Sequence, residues 1–567
     1  MDASFFRHKS DSQFCFSLDS KHALIRIAVS KSISPLSVNI IFSDPMTFRN
    51  DHVSRPMEKK HEDGGFNYYE YIVNAYPMRL MYIFFIRFEG IDYYFCESGL
   101  HNQYHYDLAF ISAFQFVGEN EADYVKEKES WKGRVIYQIF PERFYSRDNP
   151  KNKPYVNSDW NNIDLRNKRN AFLGGDLWGV IDKLDYLKWL GVGAIYLTPI
   201  HPSKSNHKYD VLDYFDVDPT FGGKEAFKEL VEKAHALDIK IMMDLVFNHM
   251  SYDHPIFLDV RNNGKQSDYF NWFFINGDKP TINPLNYLCF GYHAYMPKMN
   301  TNNPDVQNYL IYVGEYWLTN FHVDGYRLDV SEGVSHDFWT KFKIRMKEVK
   351  NDVLIIGENW HNSDSYLGNN QLDSVMNYPF LGATSSYVLK KIDAKEMAFQ
   401  LDGLQMRHKD GHNRMMMNIL ASHDIQRVMN LVYFSKDLSL IAYAIMMFYI
   451  GYPLIYYGEE VFMEGGNDPD NRRGMTWEHN HFTDTKFLLF RNLILLRHEE
   501  QLKQGDIEIG YDNNLLYIKR TYNRTFYTLY TNVSNEIGHY KGNAILSNNA
   551  FGSEIRKDGF AIVKGYL

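Results

Sequence analysis

Four apolar runs in this chain end in groups that can move protons or attack carbon. They are Asp244-Leu245-Val246-Phe247-Asn248-His249, Gly325-Tyr326-Arg327-Leu328-Asp329-Val330, Gly357-Glu358-Asn359-Trp360-His361 and Ala421-Ser422-His423-Asp424. Each delivers a carboxylate, accompanied by imidazoles and, in one case, a guanidinium. One polar strand end is as well explained by a structural role as by catalysis. Four together are not, because acidic groups gathered at one pocket repel each other and cost stability. Such crowding is kept where chemistry needs a carboxylate nucleophile beside an acid whose pKa is raised by its neighbour. That is the requirement of a retaining glycosidase. A metal hydrolase also uses Asp and His. Yet no HxH or HExxH lies on these runs, and Arg327 between the acids would oppose a cation.

The runs belong to a larger pattern. From Trp131 onward, apolar segments alternate with helical ones: Val135–Phe140, Ala194–Pro199, Lys240–Asn248, Val323–Val330, Val353–Trp360, Asp373–Tyr378, Met416–Asp424 and Pro453–Glu460. Most are apolar at nearly every position, which suits parallel strands covered on both faces. The intervening helices include Val180–Leu190, Lys224–Leu237, Asp305–Asn320 and Phe338–Val349. Eight such units predict an α/β fold, a (β/α)8 TIM barrel whose reactive groups gather at the C-terminal strand ends. The longest gap follows the third strand, so residues 250–300 are expected to form an inserted subdomain. Short strands precede the barrel, at His22–Val29, Ser37–Phe42, Asn67–Asn74, Met81–Phe88 and Asp92–Glu97. They predict an N-terminal β-sandwich over residues 1–126. Strands at Leu515–Arg520 and Thr525–Asn532 predict a small C-terminal β-sandwich over 504–567, leaving 127–503 to the barrel.

Composition narrows the partners. Hydrophobic residues make up 45% of 567 and charged residues 23%, which excludes a disordered or fibrous chain. The net charge of −9 excludes nucleic acid as the main partner. Aromatics reach 16%, which fits large β cores and equally a chain that stacks rings on sugars. Cys15, Cys96 and Cys289 cannot make a disulfide framework, and the N-terminus lacks the apolar run of a signal peptide. Both point to the cytoplasm. The uncharged stretch Leu438–Tyr457 is long enough to span a bilayer, but Gly451 and Pro453 interrupt it. It is read as a buried helix and then a buried strand, with no membrane partner.

Over residues 131–500 the chain resembles the α-amylase family of glycoside hydrolases. The four polar strand ends match that family's main sequence regions. Val192-Gly193-Ala194-Ile195-Tyr196-Leu197-Thr198-Pro199 and Gly451-Tyr452-Pro453-Leu454-Ile455-Tyr456-Tyr457-Gly458-Glu459-Glu460 match two supporting regions. Met296-Pro297-Lys298-Met299-Asn300 resembles the signature of the neopullulanase, cyclomaltodextrinase and maltogenic amylase group. So do Tyr137-Gln138-Ile139-Phe140-Pro141-Glu142-Arg143-Phe144 and an N-terminal, carbohydrate-binding-like β-sandwich.

The resemblance implies roles. Asp329 is the nucleophile, Glu358 the acid and then the base, and Asp424 the third catalytic carboxylate, holding hydroxyls of the sugar being cleaved. Arg327 keeps Asp329 ionised. His249 and His423 donate to the same sugar, and Tyr209 stacks on it. Asp468 and Arg472 hold the next sugar on the non-reducing side, while Phe290 and Trp360 line the acceptor side. Asp244 is expected to orient Arg327, and Asn248 to brace the inserted subdomain. No cofactor is needed for the chemistry. A structural calcium is implied at Asp148, Gly174 and Asp176, although the site is incomplete, with Ser146 and Lys151 where oxygen ligands are expected. Relatives often carry Val-Ala-Asn-Glu after the nucleophile. Here Val330-Ser331-Glu332-Gly333 stands instead, which leaves α-1,4 against α-1,6 preference open. The implied activity is retaining hydrolysis of cyclodextrins, maltooligosaccharides or pullulan. The alternatives are a transglycosylase, an α-glucosidase, or a glycan binder without catalysis. The resemblance also implies a homodimer, with Phe66, Tyr68, Tyr69 and Tyr71 of the N-terminal sandwich available to its interface.

Overall fold

The computed structural model describes residues 2–74, 79–118, 120–121, 124–161, 168–368, 371–478 and 483–567. The chain forms two compact units. One comprises Met1–Lys126, Ala394–Arg414 and Ile509–Tyr511; the other comprises Glu127–Asp393, Met415–Glu508 and Asp512–Leu567.

The second unit is built on a closed barrel of eight parallel strands in chain order: β1 Ile136–Ile139, β2 Ala194–Leu197, β3 Lys240–Val246, β4 Gly325–Asp329, β5 Leu354–Gly357, β6 Ser374–Asn377, β7 Met417–Asn418 and β8 Tyr452–Tyr456. Every predicted run supplies one strand. Apart from Lys240, all of their residues are buried, as expected of a sheet lined by side chains within and helices without. β7 is much shorter than its run. The chain leaves the sheet after Asn418, whose amide donates to Ile450 O (2.7 Å) and whose carbonyl oxygen accepts from Asn377. Ser422–Asp424 therefore stand on a loop.

Helices Gly223–Ala236, Pro304–Phe321 and His336–Val349 follow prediction closely. The third begins where the Ser335 side chain accepts from Phe338 N, satisfying one of the first-turn donors. The predicted helix Val180–Leu190 is instead two, Leu177–Asp182 and Leu184–Leu190, broken at Lys183. Leu438–Tyr457 divides into helix Lys436–Phe448, buried from Leu438 onward, and strand β8. Among the described residues no helix is long and apolar enough to cross a membrane.

Residues 250–300 contain a helix, Pro255–Asn263, that their polar composition hid. His254 caps it and Pro255 occupies its first position, where a missing N–H costs nothing. The segment then returns to the barrel, with Lys298 bridging His249 and Met299 bridging Phe273.

The first unit carries two antiparallel sheets. One pairs Phe6–Arg7, His22–Ser30, Phe66–Asn74 and Glu58–Glu62 in that order; the other pairs Gly99–His101, Ile91–Cys96, Leu80–Phe88, Ser37–Ser43 and Val53–Pro56. A core including Ile25, Ile27, Ile40, Tyr82, Phe84 and Phe114 fills it. The rings of residues 66–71 are taken up on both faces of their strand. Tyr69 and Tyr71 pack on this core, whereas Phe66 and Tyr68 pack with Ala28 and Met406 on the other face. All four rings offered to a dimer interface are thus used inside the unit.

The C-terminal β domain is a six-stranded antiparallel sheet running from Asp506–Asp512 to Glu554–Tyr566. A helix takes the place that a second sheet would have. Lys436–Phe448 packs on it, and the buried Arg520 donates to Phe448 O at 3.0 Å.

Candidate active site

Strands β3, β4 and β5 are neighbours in parallel register, with Asp244 beside Arg327, Val246 beside Asp329 and Leu328 beside Gly357. Arg327 and Asp329, two residues apart, point to the same side of β4. Glu358 is the first residue beyond β5. Gly357 is needed there, because a Cβ would come within 2.5 Å of Ser331 Oγ. Three acids from three strands thus meet on one cation. Arg327 Nη1 donates to Asp244 Oδ1 and Oδ2 (3.1 and 3.0 Å) and to Asp329 Oδ1 (2.8 Å), and its Nη2 lies 2.9 Å from Glu358 Oε2. All four side chains are buried.

One guanidinium cannot satisfy three buried carboxylates. Burial, and next the charge of Glu358, pushes the Asp329 carboxyl well above its ordinary range, while Arg327 opposes both. Burial also raises Asp244 against the same arginine. Arg327 therefore does not by itself hold Asp329 ionised, since its charge is shared. Glu358 is surrounded by donors. Val330 N donates to Oε2 (2.9 Å) and Trp360 Nε1 to Oε1 (3.1 Å). Val330 aims its N–H from a left-handed conformation, φ 43°, which a β-branched residue adopts only under strain.

A second group forms around the β7 loop. The Gln138 amide donates to His423 Nδ1 (2.8 Å), which puts that ring's proton on Nε2. Nε2 lies 2.6 Å from Tyr209 Oη and 3.0 Å from Asp424 Oδ2. Tyr209 stacks on His423 at 5.3 Å between centroids and also donates to Asp244 Oδ2 (2.9 Å), joining the two groups. Arg472 donates to His423 O (2.7 Å), and its other nitrogens reach Asp424 (3.4 Å) and Asp468 (3.0 Å). Burial raises the Asp424 carboxyl, but His423 and Arg472 outweigh it and hold the group well below the usual carboxylate range.

His249 is buried and its pKa is lowered to about 3, by burial first and then by the Lys298 charge, so the ring is neutral. Phe290 stacks on it at 5.1 Å. Its Nε2 has no hydrogen-bond partner among the described residues. Trp360 is 43% exposed and stacks on Tyr378 at 4.2 Å. Asn248 does brace the insertion. Its side-chain oxygen accepts from Lys298 Nζ, and its backbone oxygen from Met299 N. Lys298 also donates to Gly333 O (2.5 Å), and a Cβ at Gly333 would strike Asn248.

The residues offered to calcium do not fit it. Asp148 is exposed, and Lys151 is exposed as well. Gly174 O and Asp176 Oδ2 both accept from the ammonium of Lys153, at 2.8 and 2.5 Å, and Asp176 Oδ1 accepts from Gly179 N. Among the described residues no group of three His, Cys, Asp or Glu side chains is placed to hold a metal.

Sequence reasoning missed Gln138, Tyr196 and Tyr378. Tyr196 donates to Asp244 Oδ2 at 2.6 Å, and the other two position His423 and Trp360. Gln138 was the detectable one, as a polar residue inside an apolar run.

Residues 138–504 match the model of the α-amylase catalytic domain, and residues 1–117 that of the α-amylase N-terminal Ig-like domain. A cyclomaltodextrinase of Thermoanaerobacter pseudethanolicus is 37% identical over 88% of this chain and 86% of its own. An intracellular maltogenic amylase of Bacillus subtilis is 36% identical over 95% and 92%. A solved cyclomaltodextrinase structure superposes with a TM-score of 0.88 at 29% identity, covering 100% of this chain and 98% of that one. The barrel, its crowded strand ends and these matches agree, and the chain belongs to the α-amylase family of glycoside hydrolases.

Proposed function

We propose that this enzyme hydrolyses α-1,4-glucosidic bonds in cyclodextrins, maltooligosaccharides and pullulan, with retention at the anomeric carbon. The observation that carries the proposal is Arg327 binding Asp244, Asp329 and Glu358 at three adjacent strand ends. In the first step Glu358 gives its proton to the glycosidic oxygen as the C1–O bond breaks. Asp329 forms a bond to C1 on the opposite face. In the second, water attacks C1, Glu358 takes its proton, and the bond to Asp329 breaks. These steps require the proton on Glu358 and the negative charge on Asp329 when the sugar is bound. The glycosidic oxygen, an acceptor, replaces the Trp360 N–H at Oε1. Asp424, His423, His249 and Tyr209 hold the sugar being cleaved, Arg472 and Asp468 the one beyond it, and Phe290 and Trp360 line the acceptor side. No cofactor takes part in the chemistry of this family. The test is NMR of fresh product together with rates on cyclodextrin, pullulan and starch. The α anomer must appear first, and a β anomer first would overturn the mechanism.

We also propose that the enzyme is a cytoplasmic homodimer. Leu108, Phe110, Ile111 and Val117 expose apolar surface on the N-terminal unit. The Bacillus subtilis relative is named intracellular, and among the described residues no cysteine here is in a disulfide. We keep the boundaries 1–126, 127–503 and 504–567, with the insertion at 250–300, as the proposed division. Light scattering of the whole chain and of a 1–126 deletion tests the dimer. A monomeric full-length chain would overturn it.

A further inference from the structure

The Lys153 ammonium lies between a carbonyl and a carboxylate, Gly174 O at 2.8 Å and Asp176 Oδ2 at 2.5 Å. Both partners are fixed. Asp176 caps helix Leu177–Asp182 through its other oxygen. Gly174 has φ 88°, and a Cβ there would lie 2.6 Å from Val156, so no other residue brings its carbonyl to this place without strain. The Lys153 side chain is itself largely buried against them. This is the part of the loop where the family resemblance implies a calcium ion, and a positive charge of the chain's own already occupies its oxygens.

We propose that Lys153 is a built-in structural cation. It closes the loop between β1 and helix Leu177–Asp182 and makes that closure independent of divalent metal. Lysine is suited to this, because three N–H donors can meet oxygens from separate segments and no ion has to be bound from solution. The proposal does not depend on which glucan is cleaved.

The closure leads to the sugar site. Gly175 N donates to Glu142 O, and Asp176 N to Tyr145 O. The 142–145 turn in turn holds the segment carrying Arg472. Arg143 Nη1 donates to Arg472 O (2.8 Å), Met475 N to Arg143 O (2.8 Å) and Trp477 Nε1 to Phe144 O (2.7 Å). Lys153 is thus a positioning residue for Arg472, at one remove from the bond that is broken.

Three measurements test this. Thermal melting of the wild type should be the same, within about 1 °C, in excess chelator and in excess calcium, because a site without affinity gains nothing by mass action. Calcium titrated into the wild type by calorimetry should give no saturable heat. Lys153→Met keeps most of the side-chain volume without the charge. It should melt roughly 5 °C lower and raise KM for maltooligosaccharides several-fold while kcat changes little, and Lys153→Arg should recover part of both. A wild type that loses melting temperature in chelator and regains it with calcium would overturn the proposal. So would saturable calcium binding, or a Lys153→Met variant that melts as the wild type does. A fall in kcat at unchanged KM would overturn the link to Arg472.

Discussion

Two buried clusters of charge in this molecule are made of the same ingredients and behave differently. At the barrel strand ends, Arg327 faces Asp244, Asp329 and Glu358. In the N-terminal unit, Arg26 lies 2.6 Å from Glu70 and 3.4 Å from Asp410, and His61 lies 2.7 Å from Asp402 and 4.0 Å from Glu70. The N-terminal cluster has two cationic side chains for its three acids, and Asp410 is 44% exposed to water. The barrel cluster has one cation for three acids, all out of water. In the first case the ions satisfy each other and tie a sheet to the segment Ala394–Arg414. In the second the shortage of cation leaves the Asp329 carboxyl well above its ordinary range, so its charge is costly to hold and is available to a bound sugar in the proposed mechanism. The excess of carboxylate over cation, rather than buried charge as such, distinguishes the cluster proposed to be reactive.

Neutralising the excess charge is expected to have the largest effect. Asp329→Asn should lower kcat by about 10⁴-fold or more, because an amide cannot form the glycosyl ester. The same variant should melt at or above the wild-type temperature, since the folded state raises this carboxyl's pKa and its ionisation opposes folding. A variant that loses activity only because it unfolds would contradict the contrast. Glu358→Gln should cost about 10²- to 10⁴-fold on maltotriose and much less on an aryl glycoside whose leaving group needs no proton. Equal losses on the two substrates would remove Glu358 from the acid role.

Removing the cations sharpens the comparison through stability. Arg327→Met strands three buried carboxylates and should cost roughly 3–5 kcal/mol in denaturant melts, together with activity. Arg26→Met should cost only about 1–2 kcal/mol, because His61 and water remain to its acids, and leave kcat unchanged. Equal costs would mean that the balance of charge does not matter. The smallest effect is expected at His61. Burial lowers its pKa, but the Asp402 carboxylate outweighs that and leaves it raised. A raised folded pKa gives stability that is fully present below the unfolded value of about 6.5 and is lost as pH rises through the folded value. His61→Gln should therefore destabilise at pH 5.5 and approach the wild type at pH 9. A pH-independent difference would remove the charge from the argument.

Much of this was written in the sequence. Eight apolar runs separated by helical ones specify a parallel barrel almost by themselves, because only strands buried on both faces read that way. The polar residues that interrupt those runs are the ones the barrel brings together at adjacent strand ends. The N-terminal strands were legible to within a residue or two by the same reasoning, as with His22–Ser30 and Phe66–Asn74. Other features are settled only when distant segments meet. Nothing local says that Arg327 must serve three acids, that Val330 turns left-handed to reach Glu358, or that Met406 covers Phe66 and Tyr68. Lys153 looks like any loop lysine until residues 21 and 23 positions later fold back on it. Local pattern fixes which face of an element is buried, since that depends on its own period. How charge is shared among groups from separate elements depends on distances that only the folded chain sets.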